Sequence, residues 1–224
     1  GGSTLAARKI SYDTVVGRLN DEQRGKFLGD FKGNDKILTL YSSGEYRLST
    51  FDLSTHFDDD MVHIEKWHPE RAITAIYYDA EKDLHFCKRF VCEVTMDKKV
   101  SFISESEGST LDVVSTAYQP KAKIVYNKLL KATKNLPDTE VDLANFIEVK
   151  GMKSQGNQLT KLKVKEIVLA HSIEGEEPWP EIEKPISTSE DLEDGNDDDD
   201  ESTTVEWDIK KDDDDVQPRL FEDE

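Results

Sequence analysis

The 224 residues carry a formal charge of −19, with 48 acidic against 29 basic side chains, and the imbalance is local. Residues 174–224 hold 23 acids and 4 bases, whereas the first 173 residues hold 25 of each. No run approaches the ~18 apolar residues of a membrane span and no apolar leader is visible, so a cytoplasmic protein that neither enters a membrane nor is secreted is expected.

Taken in order, residues 1–7, opening Gly-Gly-Ser, read as an expression remnant and linker. A strand is expected at Arg8–Tyr12, followed by a loop, Gln23-Arg-Gly-Lys-Phe-Leu-Gly29. Asp35–Thr50 reads as two strands around a Ser-Ser-Gly turn, and His63–Trp67 as a short strand. Arg71–Val94 is the most apolar stretch and predicts a hairpin turning at Asp79–Asp83. Leu84, Phe86, Phe90 and Cys92 fall on one face, and His85, Arg89 and Glu93 on the other, which is the period of a strand with one buried side. Two strands bury too little surface to stand alone, so the hairpin needs partners. Leu111–Leu130, with Gln119-Pro120 at the turn, and Phe146–Leu169, with Gly151 and Gly156 in its loop, read as further hairpins. Val100–Ser104 and Glu140–Leu143 add short strands. From Ile37 through Ile73 and Leu111 to Phe146 the steps are 36, 38 and 35 residues, the period of propeller-like blades. The expected fold is all-β and bladed over residues 8–173. Residues 174–224, with their Asp runs, cannot bury enough apolar surface to fold and are expected to form a disordered acidic tail.

No catalytic constellation stands out. The five histidines show no ligand spacing, the two cysteines form no CxxC pair, and neither a Walker A loop nor GxGxxG is present. Cys87 and Cys92 read as reduced core thiols. No cofactor, metal or catalytic residue is expected. The informative pattern is basic. Lys161, Lys163 and Lys165 alternate with Leu162 and Val164, so a strand would line three ammonium groups ~7 Å apart, near the phosphate repeat along one DNA strand. Lys121 and Lys123 alternate likewise, with Lys128, Lys131 and Lys134 beyond, and Arg47, Lys88 and Arg89 occupy second strands of earlier hairpins. One reading is a basic rim for duplex phosphates. The other is that lysines guard sheet edges against aggregation.

Gln23–Gly29, Asp35–Tyr46, Cys87–Phe90 and Val149–Thr160 resemble the C-terminal domain of bacterial type IIA topoisomerase A subunits, first that of topoisomerase IV and second that of gyrase A. The likeness covers Arg8–Leu169. It implies a β-pinwheel of four to five blades whose outer rim binds and bends duplex DNA for strand passage without catalysing it. It also implies as partners the rest of the A subunit and an ATPase B subunit, and a nucleoid-associated location. Arg24, Lys26, Lys150 and Lys153 join the expected DNA-binding residues through the matching segments. The gyrase wrapping box, Q-R-R-G-G-K-G, is altered in spacing in Gln23–Gly29, which favours the topoisomerase IV type. A propeller-like protein-interaction scaffold without DNA affinity is the alternative. Gln217–Phe221 resembles the Q-x-x-L-F peptide that docks on the bacterial sliding clamp, which makes that clamp a further expected partner.

Overall fold

The computed structural model describes residues 6–182, and their only α-helix is the short α1 (Leu143–Phe146). The strands form four antiparallel sheets that follow one another along the chain as blades. The first blade is β1 (Arg8–Asp13), β2 (Arg18–Asn20) and β3 (Lys26–Phe31), in the order β2-β1-β3. The second is built on the expected hairpin of β4 (Ile37–Tyr41) and β5 (Glu45–Ser49), with β6 (Met61–Lys66) beside β4. The third uses the hairpin of β7 (Ile73–Asp79) and β8 (Leu84–Phe90).

The outer strand of the second blade is the two-residue β9 (Val100–Ser101), which returns from beyond β8 to pair with β5. β10 (Thr110–Ser115) then flanks β7. The fourth blade is β11 (Lys121–Tyr126), β12 (Thr139–Asp142) and β14 (Val164–Leu169), in the order β12-β11-β14. Between β12 and β14 the chain runs back to lay β13 (Asn157–Gln158) on β8. The second and third blades are therefore each completed by a segment leaving the hairpin of the next.

Three apolar clusters hold the blades face to face. Ile10, Tyr12 and Phe31 meet Ile37 and Ile64 between the first and second blades. Leu38, Leu40, Tyr46 and Leu48 meet Ile73, Ala75 and Phe90 between the second and third. Ile76 and Cys87 meet Ala122, Ile124 and Ile167 between the third and fourth. Residue parity sorts these contacts: on β7, Ile73 and Ala75 face the second blade while Ile76 faces the fourth, as alternate residues of a strand must. β4 and β7 are accordingly apolar on both sides, and all of Phe86–Phe90 is buried. The single buried face expected for the second strand of the central hairpin is thereby corrected.

Two other hairpins are also corrected. Gln119-Pro120 is the crossing from the third blade to the fourth, because β10 pairs with β7 and β11 with β12 and β14. Phe146–Leu169 contains no hairpin: α1 ends at its first residue, β13 joins the third blade and β14 the fourth. The helix starts because the Asp142 carboxylate accepts the Ala144 and Asn145 N–H groups at 3.1 and 3.2 Å.

The compact unit ends at Glu181 rather than at 173. Ile173 accepts the Thr116 N–H at 2.9 Å and the Ser115 hydroxyl at 2.8 Å. Trp179 packs on Tyr118 at 5.3 Å between ring centroids and donates its indole N–H to the Thr116 carbonyl at 2.9 Å. The rest of the expected acidic tail, with Gln217–Phe221, lies outside the described residues.

The loop that carries β13 crosses β8 at Gly156, whose φ is +87° and whose added Cβ would stand 2.1 Å from the Cys87 carbonyl oxygen. Gly156→Ala is expected to cost about 2 kcal/mol or more and to lower the melting temperature by about 4–8 °C. Gly151→Ala, where a Cβ meets nothing within 4 Å, is expected to leave the melting temperature unchanged. Thermal unfolding followed by circular dichroism checks both.

Candidate nucleic-acid interface

The expected basic residues separate according to which strand face carries them. Lys88 and Arg89 are 5% and 9% exposed and are not on a rim, which corrects that expectation. β8 is covered on both faces, so Lys88 points towards the second blade and Arg89 towards the fourth. Lys88 donates to the Met152 carbonyl at 2.5 Å, and Arg89 to Thr74 Oγ1 at 3.1 Å and to the Ala144 carbonyl at 3.4 Å. Burial pulls the Lys88 ammonium down to about 8 and lowers Arg89 as well. Burial also pushes the thiols of Cys87 and Cys92 up to about 12, which makes them inert at neutral pH.

Arg47 is half-buried and committed within the fold: it donates to the His56 carbonyl at 2.7 Å and lies 5.7 Å from the Phe57 ring centroid. Lys26 reaches the Ile64 carbonyl at 2.8 Å and Glu174 at 3.2 Å. Arg24 is exposed and pairs with Glu22 at 3.1 Å. Its loop is held by Asn20, whose side-chain oxygen accepts the Glu22 and Arg24 N–H groups. Gly25, at φ +82°, passes so close to β1 that a Cβ would stand 2.2 Å from the Tyr12 carbonyl oxygen. The glycine of this motif is thus required by packing of β3 on β1.

The remaining eight lysines are all exposed, and all belong to the fourth blade or to the chain that loops out of it. On β11, Ala122 and Ile124 point inward and leave Lys121 and Lys123 on the opposite face. Across the pair with β12 they stand opposite Asp142 and Glu140, so this face mixes charges. The other lysines are in or beside the loops, and two of them also meet carboxylates. Lys128 closes on the Leu136 carbonyl and lies 3.5 Å from Asp138, and Lys163 pairs with Asp83. Lys150 reaches Asn157 at 3.5 Å, and Lys153 sits in the turn that follows Gly151.

The three-lysine strand face does not form. Leu162 N–H bonds to Thr160 Oγ1 at 3.1 Å, the backbone bends at Lys161 and Leu162, and β14 starts only at Val164. Lys165 alone is on the strand, while Lys161 and Lys163 precede it. Residues 121–165 hold ten lysines and four acids, whereas residues 1–120 hold 15 bases and 20 acids. Positive charge is therefore concentrated at one end of the blade series.

Sequence spacing offers no hint of the grouping of His63, Glu65 and Glu174, because it is made by chain return. Their ligand atoms lie within 4.8 Å of one another, with His63 Nε2 at 2.8 Å from Glu65. Glu65 accepts the Thr116 hydroxyl at 2.8 Å, and the Lys26 ammonium already supplies a cation to Glu174. The group acts as an ion-pair network that ties the segment after β14 to the first two blades.

Lys88 titrates near 8 when folded and near 10.4 in an unfolded chain. Below pH 8 both states are charged and the burial penalty acts in full; between these values the unfolded chain holds more protons, so stability rises with pH. Relative to Lys88→Met, the wild-type chain is expected to gain on the order of 3 kcal/mol from pH 8 to 10.5. Urea unfolding of both proteins across that range measures it, and the tyrosines cancel in the difference.

No curated protein sequence matches this chain. Among solved structures it is similar to one described as the crystal structure of the C-terminal domain of DNA topoisomerase IV, at 9% identity and a TM-score of 0.44 over 74% of this chain. The matched part spans 64% of the length of that domain. Residues 18–171, which run from β2 to the end of β14, match the family described as "Topoisomerase C-terminal domain, Bacteroidota". The chain belongs to that topoisomerase C-terminal domain family.

Proposed function

We propose that this chain is the non-catalytic, duplex-holding domain of a type II topoisomerase, of the topoisomerase IV A-subunit type. The lysines of the fourth blade and its loops grip phosphates and present one DNA segment for strand passage. The cleavage chemistry and the ATPase then belong to the rest of the A subunit and to a B subunit. One observation carries this reading: exposed lysine is gathered on residues 121–165 of a fold whose earlier residues are net negative. Phosphate contacts of this kind position a duplex without reading its sequence, which is what a domain handling arbitrary crossovers requires.

Replacing Lys131, Lys134, Lys161 and Lys165 by Gln is expected to weaken binding uniformly across duplex sequences. Each phosphate left without its ammonium partner lowers the salt slope by about 0.9. Fluorescence anisotropy with labelled duplexes over a salt series measures it. Salt-independent or absent binding by the folded wild-type chain would leave the protein-interaction scaffold as the better reading.

The acidic C-terminal residues modulate this binding in the same proposal. Residues 183–224 carry a net −15, and carboxylates within a Debye length of ~8 Å compete for the ammonium groups that phosphates need. Truncation after Ile182 preserves the Glu174 and Trp179 contacts and is expected to tighten duplex binding at low salt. Equal affinity of the truncated and full chains in that titration would remove the tail from the mechanism.

A further inference from the structure

The loop between β11 and β12 presents an apolar tip within its basic surroundings. Leu129 is 92% exposed and Leu130 41% exposed. Single exposed leucines are common on protein surfaces, so exposure by itself signifies little. Three further features distinguish this one.

The tip is held in place. Asn127 Oδ1 accepts the Leu129 N–H at 3.0 Å, and the buried Thr133 hydroxyl closes on the Asn127 carbonyl. The Thr133 N–H donates to Leu130 at 3.1 Å, and the Leu136 N–H to Thr133 at 3.2 Å. Leu129 is therefore carried outward by a loop that these hydrogen bonds hold in shape.

The tip is also flanked by basic side chains. Lys128 lies 3.5 Å from Asp138 and Lys163 pairs with Asp83, while Lys131 and Lys134 make no ion pair among the described residues. Lys128, Lys131 and Lys134 are the only charged residues from Asn127 to Leu136, and the Asn127 N–H bonds the Lys163 carbonyl at 3.0 Å, which brings the Lys161–Lys163 bend alongside. The contrast with the first blade is the third feature. Val15 is 93% exposed at the β1–β2 turn, but there the Asp13 carboxylate accepts the Val15 and Val16 N–H groups, and the turn has no base between Asp13 and Gly17. Of these two tips, only that of the fourth blade has cations on both sides.

We propose that Leu129 is an apolar wedge that the fourth blade presses into a base step of the bound duplex, bending it. The wedge rests on the duplex-holding reading and adds how the held segment is deformed. Apolar side chains that enter the minor groove part a base step and kink the helix towards the major groove, while flanking cations take the phosphates of the groove walls. Flexible pyrimidine–purine steps are the least costly to open, so TA and CA steps are the preferred seats. A lipid surface suits the loop less well. Two leucines bury far fewer methylenes than a single acyl chain, and one such chain by itself gives only marginal membrane binding.

The test uses the full chain and a duplex of about 30 base pairs, long enough for a bend to be read from its ends. The duplex carries donor and acceptor dyes at its ends and 2-aminopurine at a central TA step. Wild-type protein is expected to raise both energy transfer and 2-aminopurine fluorescence. Leu129→Ala is expected to abolish most of both signals while the dissociation constant rises about 3- to 10-fold, and Val15→Ala to behave as wild type. Leu129→Ala that binds, bends and unstacks like wild type overturns the wedge and leaves the duplex-holding reading intact. Wild-type protein that fails to bind the duplex at low salt overturns both. Leu129-dependent co-sedimentation with phosphatidylserine–phosphatidylcholine vesicles, without a 2-aminopurine signal on DNA, reassigns the tip to lipid and overturns the wedge.

Discussion

Face-to-face packing of successive blades is the constraint on which the rest of this molecule depends. Each blade is too small to bury its apolar side chains by itself, so each blade-to-blade junction has its own core cluster. The second and third blades must be apolar on both faces, because each is enclosed by two neighbours. Only the terminal blades keep a face for water. The distribution of charge follows: a lysine on an inner strand, such as Lys88, is drawn into a junction, while lysines at the same alternation on β11 reach solvent. Position in the series decides the use of a basic residue more than its local pattern does.

That dependence explains what could be read from the residues in advance. The hairpins at Asp35–Thr50 and Arg71–Val94 were legible because tight polar turns and alternating apolar strands are local signals. The 36-residue step between them was real, and the bladed class stands. Leu111, however, lies on β10 of the third blade and Phe146 ends α1, so the later steps of 38 and 35 residues do not count blades. β9 and β13 were not legible as long-range partners, since strands of two residues leave no periodic trace. Gln119-Pro120 was misassigned for a related reason. A turn signal says that the chain reverses, not which strand it meets afterwards.

The site was legible in composition and less so in geometry. The lysine-rich stretch from 121 to 165 stood out in the sequence, and those lysines are exposed. Lys161, Lys163 and Lys165 looked like a strand face because alternation was present, yet a hydroxyl at Thr160 bends the backbone before the strand begins. The desolvation of Lys88 and Arg89 was invisible because it comes from coverage by neighbouring blades. The His63–Glu65–Glu174 network likewise required a residue from more than a hundred positions away.

The offset return strands have a consequence for how such a chain can change length. β13, which completes the third blade, is encoded between two strands of the fourth. A deletion that removed the fourth sheet as a block of sequence would also strip the edge from the third and expose the β8 backbone. Because β13 lies inside that block, no contiguous cut removes the fourth sheet and leaves the third complete. The blades are thus interlocked in sequence as well as packed in space: the second and the third each owe a closing edge to chain that follows their own hairpin.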